Sequence, residues 1–358
     1  MLWFRPGKMP FPVSVRVLPV DPVSGDIGTV PLAIPVAQRA AATTLGLYLQ
    51  DEWRLAEGLT LNAGLRFDNY TNAGSESQLS PRLGLVWKPD GATTVHLGYA
   101  RYFTPPPLAL IGVGALAAFA NTTGAAAITQ ADPVRAEREH LIDIGAQRVI
   151  DRHLTLGIDA YYKIKKNLLD ETQYGSTELL APFNYADGYG WGVELSANYE
   201  NGPVTLYANV ARGEQRAKNI VSNQFFFVPD ELAYVANHRI FTDHSQAWTV
   251  SGGGSLKLAN ALGELQPSVE FLYGSGLRKT DDTPDAVPNG ATQQPYLVLN
   301  LGIAQVIKWD DDHALTIRID VANLFDKVYL VHDGSGVGSG QPQYGARRGI
   351  FFGVRESF

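Results

Sequence analysis

The sequence predicts an all-β chain, an antiparallel transmembrane β-barrel or partial barrel of about 13–14 long strands, with short turns at one rim and long loops at the other. Three observations carry this. Apolar and polar residues alternate with period two over runs of about 11–16 residues, which separates two faces on a strand but scatters them around a helix. The connections alternate short and long. No run of about 18 apolar residues lacks charged or polar breaks, so no helical span is visible.

Residues 1–40 read as an irregular, Pro-rich segment with one strand candidate near 11–20, because prolines are poorly tolerated in a paired central strand. Residues 41–358 read as the barrel, with strands near 43–55, 58–70, 78–88, 92–103, 136–150, 152–168, 188–200, 203–214, 245–259, 263–276, 293–308, 312–325 and 345–358. Globular strands run about 5–6 residues, whereas a tilted membrane strand needs about 9–11. Short connections such as Ala56–Glu57, Asp151–Arg152 and Asn201–Gly202 alternate with long loops at 71–77, 104–135, 171–187, 215–244, 277–292 and 326–344. Short periplasmic turns and long extracellular loops are the outer-membrane pattern. Trp and Tyr near the strand ends fit an interfacial girdle.

In lipid every backbone amide must pair within the protein, so a spanning β-protein closes its sheet and turns its apolar face outward. Arg66, Asp68, Asp159, Lys163, Lys165, Glu194, Arg318 and Asp320 lie on the minority polar faces of their strands and are the lumen-facing candidates. They either contact a solute or pair with one another to stabilise a wet interior. An unclosed sheet would leave two bare edges, expected at 345–358 and in the 11–36 region.

Composition narrows the function. The net charge of −7 gives no basic footprint, so no nucleic-acid partner is expected. The absence of Cys removes thiolate metal sites, disulfides and Cys nucleophiles. No zincin, nucleophile-elbow or phosphate-loop motif is present; neither enzymatic activity, nor a cofactor, nor a metal site is expected. No apolar signal-peptide core is visible near Met1. The seven His are dispersed, and Asp143 and Asp159 read as single carboxylates without partners. One local group, His238–Arg239 with Asp243–His244, falls in the long loop 215–244 and is the ligand-binding candidate; a solvated loop held by its own hydrogen bonds is the plainer alternative. Leu108–Ala120 reads as a short lid helix, a lipid-like patch or an irregular loop.

The last strand ends on Phe358, with Ile350, Phe352, Val354 and Glu356 preceding it at alternate positions. A terminal aromatic behind an alternating apolar series resembles the strand that the barrel-assembly machinery recognises, with Glu356 as a departure. The ending IDVANLFDKVYLVHDGSGVGSGQPQYGARRGIFFGVRESF (319–358) resembles that of TonB-dependent outer-membrane receptors, in which Asn-Leu-Phe-Asp (Asn323–Asp326 here) closes one strand and Gly-x-Arg-Arg (Gly345–Arg348) opens the last. LGLYLQDEWRLAEGLTLNAGLRFDNY (45–70), SPRLGLVW (80–87) and GYARYFTPP (98–106) resemble the barrel midsection of the same family. The resemblance spans roughly residue 40 to the end and implies a barrel of about 22 strands around a plug that TonB moves. It implies active uptake of a ferric siderophore, haem, cobalamin, nickel complex or glycan, in the outer membrane of a Gram-negative-type bacterium. The partners it implies are the lipid bilayer, the assembly machinery, a small solute, and TonB through a plug domain expected to lie outside this chain. A C-terminal piece of such a receptor is therefore the expectation; a small passive channel and a soluble β-rich binding protein are the alternatives.

Overall fold

The computed structural model describes residues 14–35, 41–72, 74–107, 117–173, 180–309, 313–338 and 340–357. Thirteen strands form one antiparallel wall: β1 (Thr43–Ala56), β2 (Leu59–Thr71), β3 (Ser75–Trp87), β4 (Thr93–Thr104), β5 (Glu137–Ile150), β6 (Leu154–Gln173), β7 (Leu180–Asn201), β8 (Val204–Ile220), β9 (Trp248–Leu256), β10 (Gly263–Gly274), β11 (Tyr296–Lys308), β12 (Ala314–Ala322) and β13 (Gly349–Ser357). Each pairs with its neighbour in sequence, so the wall is a continuous meander. Asp151 and Arg152 both hold left-handed φ (46° and 67°) in the β5–β6 turn, and Gly202 (φ 55°) does so between β7 and β8.

Among the described residues the wall does not close on itself; β1 and β13 are its edges. The second edge is thus β1, not the 11–36 region. Residues Ser14–Val17 instead pair with Leu32–Pro35 in a separate two-stranded hairpin. Pro19 and Pro31, which carry no N–H donor, lie just beyond the inner ends of the two strands. Phe358 and residues 108–116 lie outside the described residues, and Ala117–Phe119 form a single tight turn.

The registers place all eight lumen-facing candidates on one continuous face. Arg66 lies opposite Tyr48 and Ser80, Asp159 opposite Glu194, and Asp320 opposite Gly302, with every intervening pair in phase. The other face carries exposed apolar side chains from end to end, Leu49 at 79% and Phe352 at 70% exposure among them. In water so large an apolar patch would drive association; against lipid tails it is the required outer surface. Glu356 shares that outer face, opposite Leu315 at the short-turn rim. Among the described residues no helix is long and apolar enough to cross a membrane.

β6, β7 and β8 run 20, 22 and 17 residues, longer than a membrane crossing needs. On β6 the lipid-exposed series Leu156, Ile158, Tyr162, Ile164 ends, and Leu168 beyond it is fully buried. The expected loop 171–187 is therefore largely strand, and the expected loop 215–244 begins only after Ile220 and holds the helix Pro229–Asn237. Two asparagines with positive φ, Asn167 (50°) and Asn219 (62°), interrupt the alternation. After Asn167 the Leu168 side chain turns inward and lies over Gly188, where a Cβ would overlap its Cδ1. Leu168, Phe183, Tyr185 and Ile220 pack with Phe227, Val235, Ile240 and Val337 into an apolar core above the lipid-facing band. A second core joins the hairpin residues Val15, Val17 and Ile34 to Phe119 and Phe225. Buried Asn184 stands near both, accepting from the Arg135 N–H (2.8 Å) and the Ser222 hydroxyl (3.0 Å) while donating to Arg135 O and Asn167 O. These packed loops form a cap over the long-loop rim.

Candidate functional site

The inner face is a ladder of ion pairs. Arg66 meets Asp68 at 2.8 Å and Arg318 meets Asp320 at 2.6 Å. Lys165 reaches Glu137 (3.0 Å) and Glu139 (3.2 Å), and Lys163 lies over the Tyr161 ring. Asp143 and Asp159 are not solitary, as the sequence implied. His96 sits between them, with Nε2 3.4 and 3.3 Å from their carboxylates. Gly145 makes room for this trio, since a Cβ there would overlap both Asp159 and His96. Pairs of this kind keep charge inside a wall whose other face is lipid.

Where the inner face meets the cap, a cavity of about 440 Å³ is lined by Tyr161, Lys163, Glu194, Arg212, Glu214 and His244, among others. A second, of about 280 Å³, lies lower on the wall beside Tyr207, Glu270 and Arg318. Three sequence-predicted residues, Lys163, Glu194 and His244, thus share one cavity, and charges of both signs line it. That arrangement suits a polar solute presenting both donors and acceptors.

The four-residue loop candidate splits in two. His238 stacks on Tyr234 (centroids 4.3 Å apart), and Arg239 pairs with Asp187 of β7. Asp243 and His244 stay together: the fully buried Asp243 carboxylate accepts from the His244 N–H (2.7 Å) and lies 2.5 Å from its Nδ1. Asp170, from the upper end of β6, joins them. One ligand-type atom from each of Asp170, Asp243 and His244 lies within 4.8 Å of the others. His332, on the short strand Leu330–His332, closes the far side, with Nε2 3.7 Å from Asp243 Oδ2. Gly338 (φ 139°) passes so close to Asp243 that any Cβ would strike the carboxylate. Asn289 ties the layers by donating to Phe241 O (3.0 Å) and Val337 O (2.8 Å).

This cluster lies beyond the lipid-facing band, and its protonation is displaced. The hydrogen bond to Asp243 pushes His244 up to about 9. Burial, then the Asp243 charge, raises the Asp170 carboxyl, while burial lowers His332. Sequence reading missed Asp170, His332, Tyr185 and Asn289 because each lies far along the chain from the Asp243–His244 pair. The usable signal was the resemblance of the ending. Its two motifs turn out to clamp each other: Asp326 binds Arg347 (2.7 Å) and the Arg348 N–H (3.0 Å), and Asn323 donates to Ala346 O. The loop carrying His332 is pinned at its base by that clamp.

Comparison with known proteins places this architecture. The TonB dependent receptor-like, beta-barrel family matches residues 16–324, and the chain belongs to that family. Its members are outer-membrane transporters and receptors rather than enzymes. The TonB-dependent transporter Oar of Myxococcus xanthus is 35% identical over 83 residues, 20% of this chain and 8% of Oar. The FrpB iron transporter of Neisseria meningitidis (F3-3 variant) superposes with a TM-score of 0.63 at 19% identity, covering 90% of this chain and 46% of FrpB. The ferripyoverdine receptor of Pseudomonas aeruginosa (TM-score 0.60, 16% identity) covers 93% of this chain and 41% of its own. The ferric yersiniabactin uptake receptor FyuA of Yersinia pestis (0.58, 15%) covers 88% and 45%. The chain spans less than half the length of each of these structures.

Proposed function

We propose that this chain is barrel wall of an outer-membrane receptor for active uptake of a solute, a ferric siderophore or other metal complex before a glycan. The observation that carries this is the cavity at the junction of wall and cap, where Lys163 and Arg212 face Glu194 and Glu214. Charges already inside the wall are desolvated at little further cost when a polar solute arrives, so they discriminate by fit. The iron-related names of FrpB, the ferripyoverdine receptor and FyuA support the ferric choice. In this reading TonB acts through a plug domain, the assembly machinery recognises the last strand with Phe358, and the protein resides in the outer membrane of a Gram-negative-type bacterium.

Uptake of iron-55 complexes by cells carrying or lacking the full-length gene tests this. The full-length protein is expected to support accumulation that stops when the proton gradient is collapsed. Lys163→Glu together with Arg212→Glu should reduce it about tenfold or more, consistent with two charge-assisted contacts. Equal accumulation with and without the gene, for ferric complexes and glycans alike, overturns the proposal. A stable open pore in planar bilayers would favour a passive channel, and recovery in the soluble fraction without detergent would favour a soluble binding protein.

A further inference from the structure

We propose that Asp170, Asp243 and His244 bind a divalent transition-metal cation that fastens the cap to the wall. The argument begins with charge. Two carboxylates converge within 4.8 Å, one of them fully buried, and Glu171 and Asp333 add negative charge nearby. Among the described residues, the positive charge acting on Asp170 is that of His244. Like charges this close share either a proton or a cation.

Unsatisfied polar atoms indicate which. Asp170 Oδ2, Tyr185 Oη and His332 Nε2 are buried and make no hydrogen bond. A buried polar group without a partner costs roughly 1–3 kcal/mol, so three around one point are expensive unless something fills the gap. A proton on Asp170 would answer only one of them. His332 is the decisive residue. Its side chain is 1% exposed, and its Nδ1 accepts from the Gly334 N–H at 2.9 Å. The ring proton therefore sits on Nε2, which faces the cluster but is 3.7 Å from Asp243 Oδ2, too far to bond it. A water on a cation held by the cluster would supply that acceptor. His332 is thus a positioning residue and not a ligand.

The ligands are similarly prepared. His244 Nδ1 lies 2.5 Å from the Asp243 carboxylate and shares a proton with it, so a cation replacing that proton would be held by the imidazole Nδ1 and the carboxylate together. An imidazole with two carboxylates favours Zn²⁺, Mn²⁺ or a related first-row ion over Ca²⁺ or Mg²⁺. His244 is 55% exposed and also lines the large cavity, which gives the ion an entry path. The cation would join the upper end of β6 to the loop after β8 and, through the water on His332, to the loop before β13. It would therefore set the cap's position over the solute cavity.

The test uses the full-length protein purified in detergent, stripped with a chelator, and titrated with Zn²⁺, Mn²⁺ and Co²⁺ by calorimetry and thermal melting. Wild type should take up one equivalent of at least one of these ions, with a rise in melting temperature and, for Co²⁺, a visible d–d band. Asp170→Asn and His244→Gln should each weaken binding by about tenfold or more and abolish the band. His332→Phe should weaken it less and leave the band in place. His244 is largely exposed, so His244→Gln remains folded and informative even if Asp170→Asn does not. No saturable binding by wild type, or unchanged affinity in both ligand variants, overturns the proposal, whether or not the protein transports a ferric complex.

Discussion

The band of wall strands and the cap above it are built from the same continuous hairpins and obey opposite rules. In the band the apolar residues are the exposed ones, such as Leu49 and Leu65, while Asp68, Gln78 and Ser80 are buried on the inner face. In the cap, burial follows the pattern of a soluble protein: Phe183, Tyr185 and Leu168 are fully enclosed. β6 and β7 cross from one regime to the other within a single strand. Backbone pairing skips Asn167 and Asn219 at the boundary and resumes beyond them in the same register, while the surroundings change from lipid to protein. A strand's alternation states that its two faces differ, and the surroundings decide which face is the core.

The largest effect that tests this contrast is expected in the cap. Phe183→Ala removes a ring packed edge-on against Tyr185 (5.0 Å) and Phe227 (4.9 Å). A cost of about 3–5 kcal/mol is expected for such a deletion. Hydrogen exchange in detergent should then show lost protection in the loop 221–247 and the strand ends 180–187, with β10–β13 unchanged. If the whole wall loses protection together, cap and band are one cooperative unit and the contrast fails.

A smaller effect separates the two faces of the band. Leu65 points outward from β2 and Asn62 inward. Leu65→Arg should cost about 2–4 kcal/mol near the bilayer midplane, read from urea titrations of folding into lipid vesicles. Asn62→Arg should remain within about 0.5 kcal/mol of wild type, as for an accessible polar site. Equal penalties would mean that the outward face does not meet lipid.

The thirteen wall strands were legible in the sequence because period-two alternation survives whichever solvent lies outside. The upper ends of β6 to β8 were not. Asn167 and Asn219 break the phase, and a left-handed φ in an asparagine leaves no periodic trace. Leu168 then resembles the start of a loop, although it is the floor of the cap core. The loop candidate divides for a related reason: His238 and Arg239 are neighbours of Asp243 and His244 along the chain rather than in space. Helix termination at Asn237 sends His238 back onto Tyr234 and Arg239 toward Asp187. The partners that Asp243 does have, Asp170 and His332, come from other hairpins, and only the wall's register brings them together.

The smallest predicted effect is a pH dependence confined to the cap, measured after metal has been stripped. The groups that face one another are Asp170 and Glu171 on β6, Asp243 and His244 on the loop after β8, and His332 with Asp333 before β13. His244 keeps its proton up to about 9 in the folded protein, against an ordinary 6.5, because Asp243 accepts its hydrogen bond. Its contribution is complete below pH 6.5 and disappears as pH rises through about 9. Burial and the Asp243 charge raise Asp170, so the folded state also retains that proton above 3.8, and its loss with rising pH acts in the same direction. His332, lowered by burial, opposes them only below pH 6.5, where the unfolded chain protonates first. From pH 7 to 9, therefore, cap protection corrected for intrinsic exchange should fall while that of the wall strands stays level. A cation at Asp170, Asp243 and His244 would displace these protons, so restoring Zn²⁺ or Mn²⁺ should flatten the slope. A cap that is equally protected at pH 7 and 9 without metal would show that these groups do not hold it together.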